Sequence, residues 1–340
     1  MSEPLERLVP PALRPGDTIA FCSPSTPITV HTPKRLQRAR EYVRGRGYNV
    51  REGSLTGCTD FYRSGSAAAR ADELNTLLRD PDVRCVMSTI GGQNSNALLP
   101  YIDYDAVRSD PKIIVGYSDV TAILLGLHAQ TGLITFYGPA FVASLGEFPP
   151  IVDETFDAFT AVVGADAIGG PLRLSPPHGW TDEYIPWEEQ ERPKALRDNR
   201  WQTVQPGQAR GRLVGGNLST MTGIWGSPYM PLIGEGDILL IEDALKDIAV
   251  VERLFVFLRL NGVFDRVGAV LLGKHEQFDD AGSGRRPADV LLEVLDGCPV
   301  PVLAEFDCCH THPMLTLPIG AELEVNTADP SVVIHGPCLR

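Results

Sequence analysis

Basic residues are in short supply. The chain carries 30 Lys and Arg against 43 Asp and Glu, a formal net charge of −13. That balance argues against a nucleic-acid partner, which requires a basic face. Long apolar runs are also missing: no stretch reaches the ~18 residues of a membrane span. Met1 to Pro11, with Glu3 and Glu6, lacks the apolar centre of a secretory leader. The seven cysteines (Cys22, Cys58, Cys85, Cys298, Cys308, Cys309 and Cys338) are odd in number and scattered. Such a set does not make a disulfide framework and points to a reducing cytoplasm. Neither C-x-x-C nor H-E-x-x-H occurs, which weakens a metal-site reading. There is no internal repeat and no low-complexity tract.

What is present is a soluble globular composition, 43% hydrophobic over 340 residues, long enough for two domains of about 150 residues each. The first half alternates short apolar runs with helical spacing. Thr18 to Phe21, Tyr48 to Arg51, Arg84 to Met87, Ile113 to Gly116 and Ile134 to Tyr137 read as strands. Pro33 to Val43 and Ala67 to Leu78 read as helices. Strands separated by helices imply a doubly wound parallel sheet, whose active site lies beyond the carboxyl ends of the strands. Leu174 to Arg210 breaks the pattern: it is rich in Pro and mixed charge and holds Trp180, Trp187 and Trp201, three of the four Trp. It reads as a long excursion between domains, with too many aromatics for plain disorder. The alternation then resumes with strands at Asp237 to Ile241, Val267 to Leu272, Val302 to Glu305 and Leu323 to Val325, and helices at Ile248 to Leu260 and Val290 to Leu295. The predicted fold is α/β. It comprises an N-terminal doubly wound domain (1–165), a connecting segment (166–210) and a smaller C-terminal α/β domain (211–340).

Ser118 is the most informative residue. It follows the run Ile113-Ile114-Val115-Gly116 and precedes the apolar stretch Val120 to Leu127, so it falls on a strand-to-helix turn. Such a turn exposes a nucleophilic hydroxyl and aims the first N–H groups of the helix at a developing oxyanion. Ser and Asp before a helix are also ordinary N-caps, and Val120 replaces the second Gly of a G-x-S-x-G elbow. The segment Asp307-Cys308-Cys309-His310-Thr311-His312 supports three readings: a metal cluster, a catalytic base serving Ser118, or buried thiols and a polar turn. Glu242, at a strand end, is either the carboxylate that orients such a His or a helix cap. The residues alone leave these alternatives open.

Taken in order, several blocks resemble the serine LD-carboxypeptidases. They are Ser88-Thr89-Ile90-Gly91-Gly92-Gln93-Asn94-Ser95-Asn96, Gly116-Tyr117-Ser118-Asp119, Gly215-Gly216-Asn217-Leu218, Ile241-Glu242-Asp243 and His310-Thr311 through Leu317-Pro318-Ile319-Gly320. They span nearly the whole chain. Ile134 to Ala140, Gly273-Lys274-His275-Glu276 and the Trp180 to Glu189 segment are most similar to the microcin C self-immunity peptidases within that family. The resemblance implies a Ser118–Glu242–His310 triad, oxyanion-hole N–H groups at Gly92 and Asp119, and no metal or cofactor. It implies that Trp187 stacks on a nucleobase, and that Asn217, Lys246 and Glu276 contact an aminoacyl group. The expected substrate is an aminoacyl-nucleotide with an acidic aminoacyl part, the alternative being a murein tetrapeptide, and the expected assembly is a homodimer. One position departs from the family pattern: Cys309 stands where Gly commonly precedes the catalytic His, which places a side chain in the turn that presents His310.

Overall fold

The computed structural model describes residues 6–340, so the first part of the Met1 to Pro11 segment lies outside the described residues. Strands β1 (Thr18–Cys22), β2 (Asn49–Glu52), β3 (Val83–Ser88), β4 (Ile113–Gly116) and β5 (Thr135–Tyr137) form a parallel array in the order β2-β1-β3-β4-β5. Apart from the edge strand β2, whose Asn49, Arg51 and Glu52 are polar and partly exposed, their residues are mostly apolar and buried, as a helix-covered parallel sheet requires. The order reverses between β1 and β3, and the turns after β3 and β4 meet at the carboxyl ends of the strands, where Gly91 lies against Ser118.

The connecting segment contributes β6 (Leu172–Leu174), a small ribbon of β7 (Gly179–Trp180) and β8 (Arg197–Asp198), and β9 (Gln202–Gln205). After it come β10 (Gln208–Asn217), β11 (Ile238–Glu242), β12 (Ala269–Gly273), β13 (Val302–Phe306), β14 (Leu317–Ile319), β15 (Glu322–Asn326) and β16 (Ser331–His335). All of these but β14 join β6 and β9 in an eight-stranded mixed sheet, β6-β16-β15-β10-β11-β12-β13-β9. The ten residues of β10 serve both halves: Gln208 to Arg212 pair antiparallel with β15, and Leu213 to Asn217 pair parallel with β11.

Two features modify the sequence-based organisation. The excursion is not outside the sheets, because β6 and β9 close the two edges of the second sheet. Nor is the segment 211–340 self-contained. Strand β14 leaves it and pairs antiparallel with β5, Leu317 opposite Tyr137, completing a six-stranded first sheet. Pro318 is tolerated there because β14 is an edge strand. Both pairings join residues far apart in sequence, which local periodicity does not encode.

Candidate active site

Ser118 occupies the turn between β4 and the helix Thr121–Thr131, at the carboxyl end of a parallel strand as expected. Its φ is +61°, a left-handed conformation that costs a non-glycine residue energy and recurs where a side chain must be aimed. The Thr121 hydroxyl donates to the Ser118 carbonyl at 2.6 Å, and the Ser118 N–H donates to the Tyr137 hydroxyl at 3.1 Å. The space beside the Ser118 hydroxyl exists because Gly91 lacks a side chain. A Cβ on Gly91 would lie 2.7 Å from Ser118 Cβ, 2.9 Å from its Oγ and 3.1 Å from the Asp119 amide nitrogen. Gly92, the expected oxyanion residue, has φ +152° and backs onto Ser25, whose Oγ would be 2.2 Å from a Cβ at that position. The two glycines divide the work, one clearing room for Ser118 and the other allowing the turn.

Asp119 is buried at 4% exposure, and its carboxylate accepts from the N–H groups of Asn94 and Ser95 at 3.0 and 2.9 Å. It therefore ties Asn94 and Ser95, just after the Gly91-Gly92 turn, to the residue after Ser118.

Glu242 ends β11 in the second sheet and is fully buried. One carboxylate oxygen accepts from Tyr137 at 2.6 Å and Asn217 at 3.0 Å, while the other faces His310 Nδ1 at 2.5 Å. Burial alone would raise its pKa. The charge and hydrogen bond of His310, with Tyr137 and Asn217, outweigh that and hold it below the ordinary carboxylate value. For His310, burial favours the neutral ring, but Glu242 wins and the pKa is raised. Ser118 is joined to His310 through Tyr137 and Glu242 in this structure, not by a direct hydrogen bond. Catalytic hydrogen bonds of this kind often tighten only around substrate.

Cys309 fits before His310 without opening the turn. Its thiol is buried, contacts the Phe306 carbonyl at 3.4 Å and the Thr311 hydroxyl at 3.2 Å, and is pushed up to about 12 by burial. Gly273 makes the room, since a Cβ there would lie 3.0 Å from Cys309 Cβ and 2.7 Å from Glu242 Cβ. His312 is buried and held neutral, its pKa pushed down to about 3 by desolvation and then by Lys194. Among the described residues no group of three or more His, Cys, Asp or Glu stands close enough to hold a metal ion.

The remaining expected residues separate. Lys246 and Glu276 lie on loops after β11 and β12 that are bridged at Ala244 and Glu276, and the Leu245 N–H donates to the Glu276 carbonyl at 2.9 Å. Burial raises the Glu276 pKa. Asn217 is committed within the protein: its Oδ1 caps the helix Leu218–Thr222 through Thr220 N–H at 3.0 Å, and its Nδ2 serves Glu242.

Trp187 is half-buried, with the Arg35 guanidinium 4.3 Å from the centre of its ring. Arg35 is itself fully buried and reaches Gln190 at 2.7 Å, the Ala143 carbonyl at 2.6 Å and Glu147 at 2.5 Å. Lys194 meets Glu147 at 2.9 Å, so the Trp187 loop is clamped at Gln190 and Lys194. Its other root pairs Thr181 with His312. Sequence reasoning missed Tyr137, Arg35, Glu147 and Gly91. A tyrosine at the carboxyl end of a buried strand was the one available signal, since its hydroxyl must find a partner there.

The geometry is matched by kinship. Residues 19–138 match the LD-carboxypeptidase N-terminal domain and residues 210–325 the LD-carboxypeptidase C-terminal domain. The chain belongs to the LD-carboxypeptidase family. Within this family it is 53% identical over 321 residues to the microcin C7 self-immunity protein MccF of Escherichia coli, covering 94% of this chain and 93% of MccF. It is 58% identical over 309 residues to a candidate carboxypeptidase of Vibrio cholerae, covering 91% and 92% of the two chains. The solved wild-type apo structure of MccF superposes with a TM-score of 0.95 over 98% of this chain and 100% of that one, at 52% identity. MccF has also been solved with aspartyl sulfamoyl adenosine and with glutamyl sulfamoyl guanosine.

Proposed function

We propose that this protein is a serine amidase that cleaves the bond between an acidic aminoacyl group and a nucleotide-like amine, as a self-immunity enzyme against microcin C-type compounds. The observation that carries the chemistry is the strained Ser118 turn facing Gly91 and linked to the Glu242–His310 pair. In the proposed cycle His310 takes the Ser118 proton as Oγ attacks the aminoacyl carbonyl. Backbone N–H groups of the Gly91-Gly92 turn and Asp119 receive the oxyanion. His310 then gives its proton to the departing nitrogen, leaving an acyl-serine that water hydrolyses with His310 again acting as base. Glu242 holds the ring tautomer and stabilises the imidazolium.

The substrate class rests on Trp187, on Lys246 and Glu276 at the same end of the sheets, and on likeness to MccF. Trp187, half-buried and backed by Arg35, suits a base by stacking; Lys246 suits a carboxylate and Glu276 an ammonium. The homodimeric, cytoplasmic setting implied by the resemblance belongs to the same proposal, and all seven cysteines are free, as in a reducing compartment. The test is hydrolysis of aspartyl sulfamoyl adenosine beside an LD-tetrapeptide, with Ser118→Ala as control. Release of aspartate from the nucleotide, lost in Ser118→Ala, is the expected result. Cleavage of the tetrapeptide alone would move the protein to murein trimming.

A further inference from the structure

The hydroxyl of Tyr137 touches both halves of the proposed machinery. Tyr137 is the last residue of β5 in the first sheet, and its side chain is fully buried. Its oxygen accepts the Ser118 N–H at 3.1 Å, and its proton goes to Glu242 Oε1 at 2.6 Å. The ring is confined on the far side, where a Cβ on Gly216 would lie 2.8 Å from Tyr137 Cε2. Opposite Tyr137 in the sheet stands Leu317 of β14, which fixes its backbone. The phenol thus has one position and two occupied partners.

We infer that Tyr137 is a positioning residue that couples the nucleophile turn to the Glu242–His310 pair. It gives the Ser118 amide a buried acceptor, so the left-handed turn loses no hydrogen bond. By donating to Glu242 it also draws charge from the carboxylate that His310 faces. Tyr137 itself remains protonated, because burial and the neighbouring Glu242 charge push its pKa well up. This inference rests on the triad reading and gives Tyr137, part of the Ile134 to Ala140 block, a role that the resemblance does not assign.

The proton affinity of His310 is the reporter. Its surroundings are Glu242 on β11 with Asp243 beside it, His275 and Glu276 after β12, the Tyr117 ring before Ser118, and His312 on its own segment. Only Glu242 among these is hydrogen-bonded to Tyr137. Removing the phenol proton leaves more charge on Glu242 and raises the His310 pKa. Since neutral His310 is the active base, the acid limb of kcat/KM moves to higher pH.

The experiment measures the pH profile of aspartyl sulfamoyl adenosine hydrolysis for wild type, Tyr137→Phe and a chain carrying 3-fluorotyrosine at position 137, a more acidic and nearly isosteric donor. Tyr137→Phe is expected to lower kcat roughly 10- to 100-fold, the factor tied to a hydrogen bond with a charged group. KM should change little, and the acid limb should rise. Fluorotyrosine should move the limb the opposite way. It keeps the fold even if the Phe variant does not. A limb that stays in place for both would overturn the inference, because a purely structural role lowers activity without moving it. Ser118→Ala and His310→Ala run alongside; turnover that survives in them would overturn the triad, and the coupling with it.

Discussion

Two buried carboxylates, Glu242 and Glu147, are satisfied in opposite ways. Glu147 lies between two permanent cations, Arg35 at 2.5 Å and Lys194 at 2.9 Å, with Gln190 completing the set at 2.8 Å. Burial would raise its pKa, but the cations hold it well below the carboxylate range. Glu242 has two neutral donors, Tyr137 and Asn217, and a single partner whose charge comes and goes, His310. A carboxylate matched by permanent charges is a clamp. One matched by a titratable ring answers to proton transfer. The first fixes the Trp187 loop, and the second sits where the proposed cycle requires a proton to move.

The contrast breaks most visibly in Glu242→Gln. An amide there supports the wrong ring tautomer and cannot stabilise an imidazolium, so kcat should fall by about 10⁴ with the melting temperature little changed, as read by turnover and calorimetry together. Glu147→Gln should reverse the pattern. It strands two buried cations and should cost about 3–5 kcal/mol of stability in urea unfolding, while turnover below the unfolding range stays within about tenfold. Smaller again is Trp187→Ala, which should weaken nucleotide substrates by about 1–3 kcal/mol, the worth of one stacked base, and leave plain peptides unaffected. Equal losses on both substrates would reduce Trp187 to packing.

Acid sharpens the comparison through His312, which adjoins the Glu147 clamp. Its ordinary value of 6.5 is pushed down to about 3 in the fold. The unfolded chain therefore gains a proton that the folded one refuses, and stability falls as the pH drops from about 6.5 toward 3, by about 1 kcal/mol per pH unit. His312→Gln should flatten that slope in urea titrations between pH 6 and 4, taken as an experimental window. The raised His310 pKa acts with opposite sign: its contribution is complete below 6.5 and is lost as pH rises through the folded value. The His310 contribution thus runs against the proposed activity, which needs the neutral ring, whereas the His312 contribution runs with it.

Residue order was enough to place Ser118, because the β-branched run Ile113 to Val115 and the apolar stretch after it are local signals, and the turn between them is short. Glu242 was legible as a strand-end carboxylate and His310 as a metal ligand, a base or part of a polar turn, but their pairing across 68 positions was not; resemblance supplied it. Tyr137 was hidden by its apolar neighbours, and its two partners lie 19 and 105 residues away. Arg35 lies in the expected helix Pro33 to Val43, where nothing local marks it as one of the most buried side chains among the described residues. The segment 174–210 appeared irregular because its strands are short and their partners, such as Val302 for Gln205, come much later. In each case the missing information was tertiary.

The return of β14 to the first sheet sets a timetable for the enzyme. Ser118 leaves the ribosome before Glu242, and His310 later still, while the strand that flanks Tyr137 arrives only with Leu317 to Ile319. Under the proposed roles, a nascent chain therefore carries Ser118 long before His310, and the site is complete only once Leu317 to Ile319 have been made.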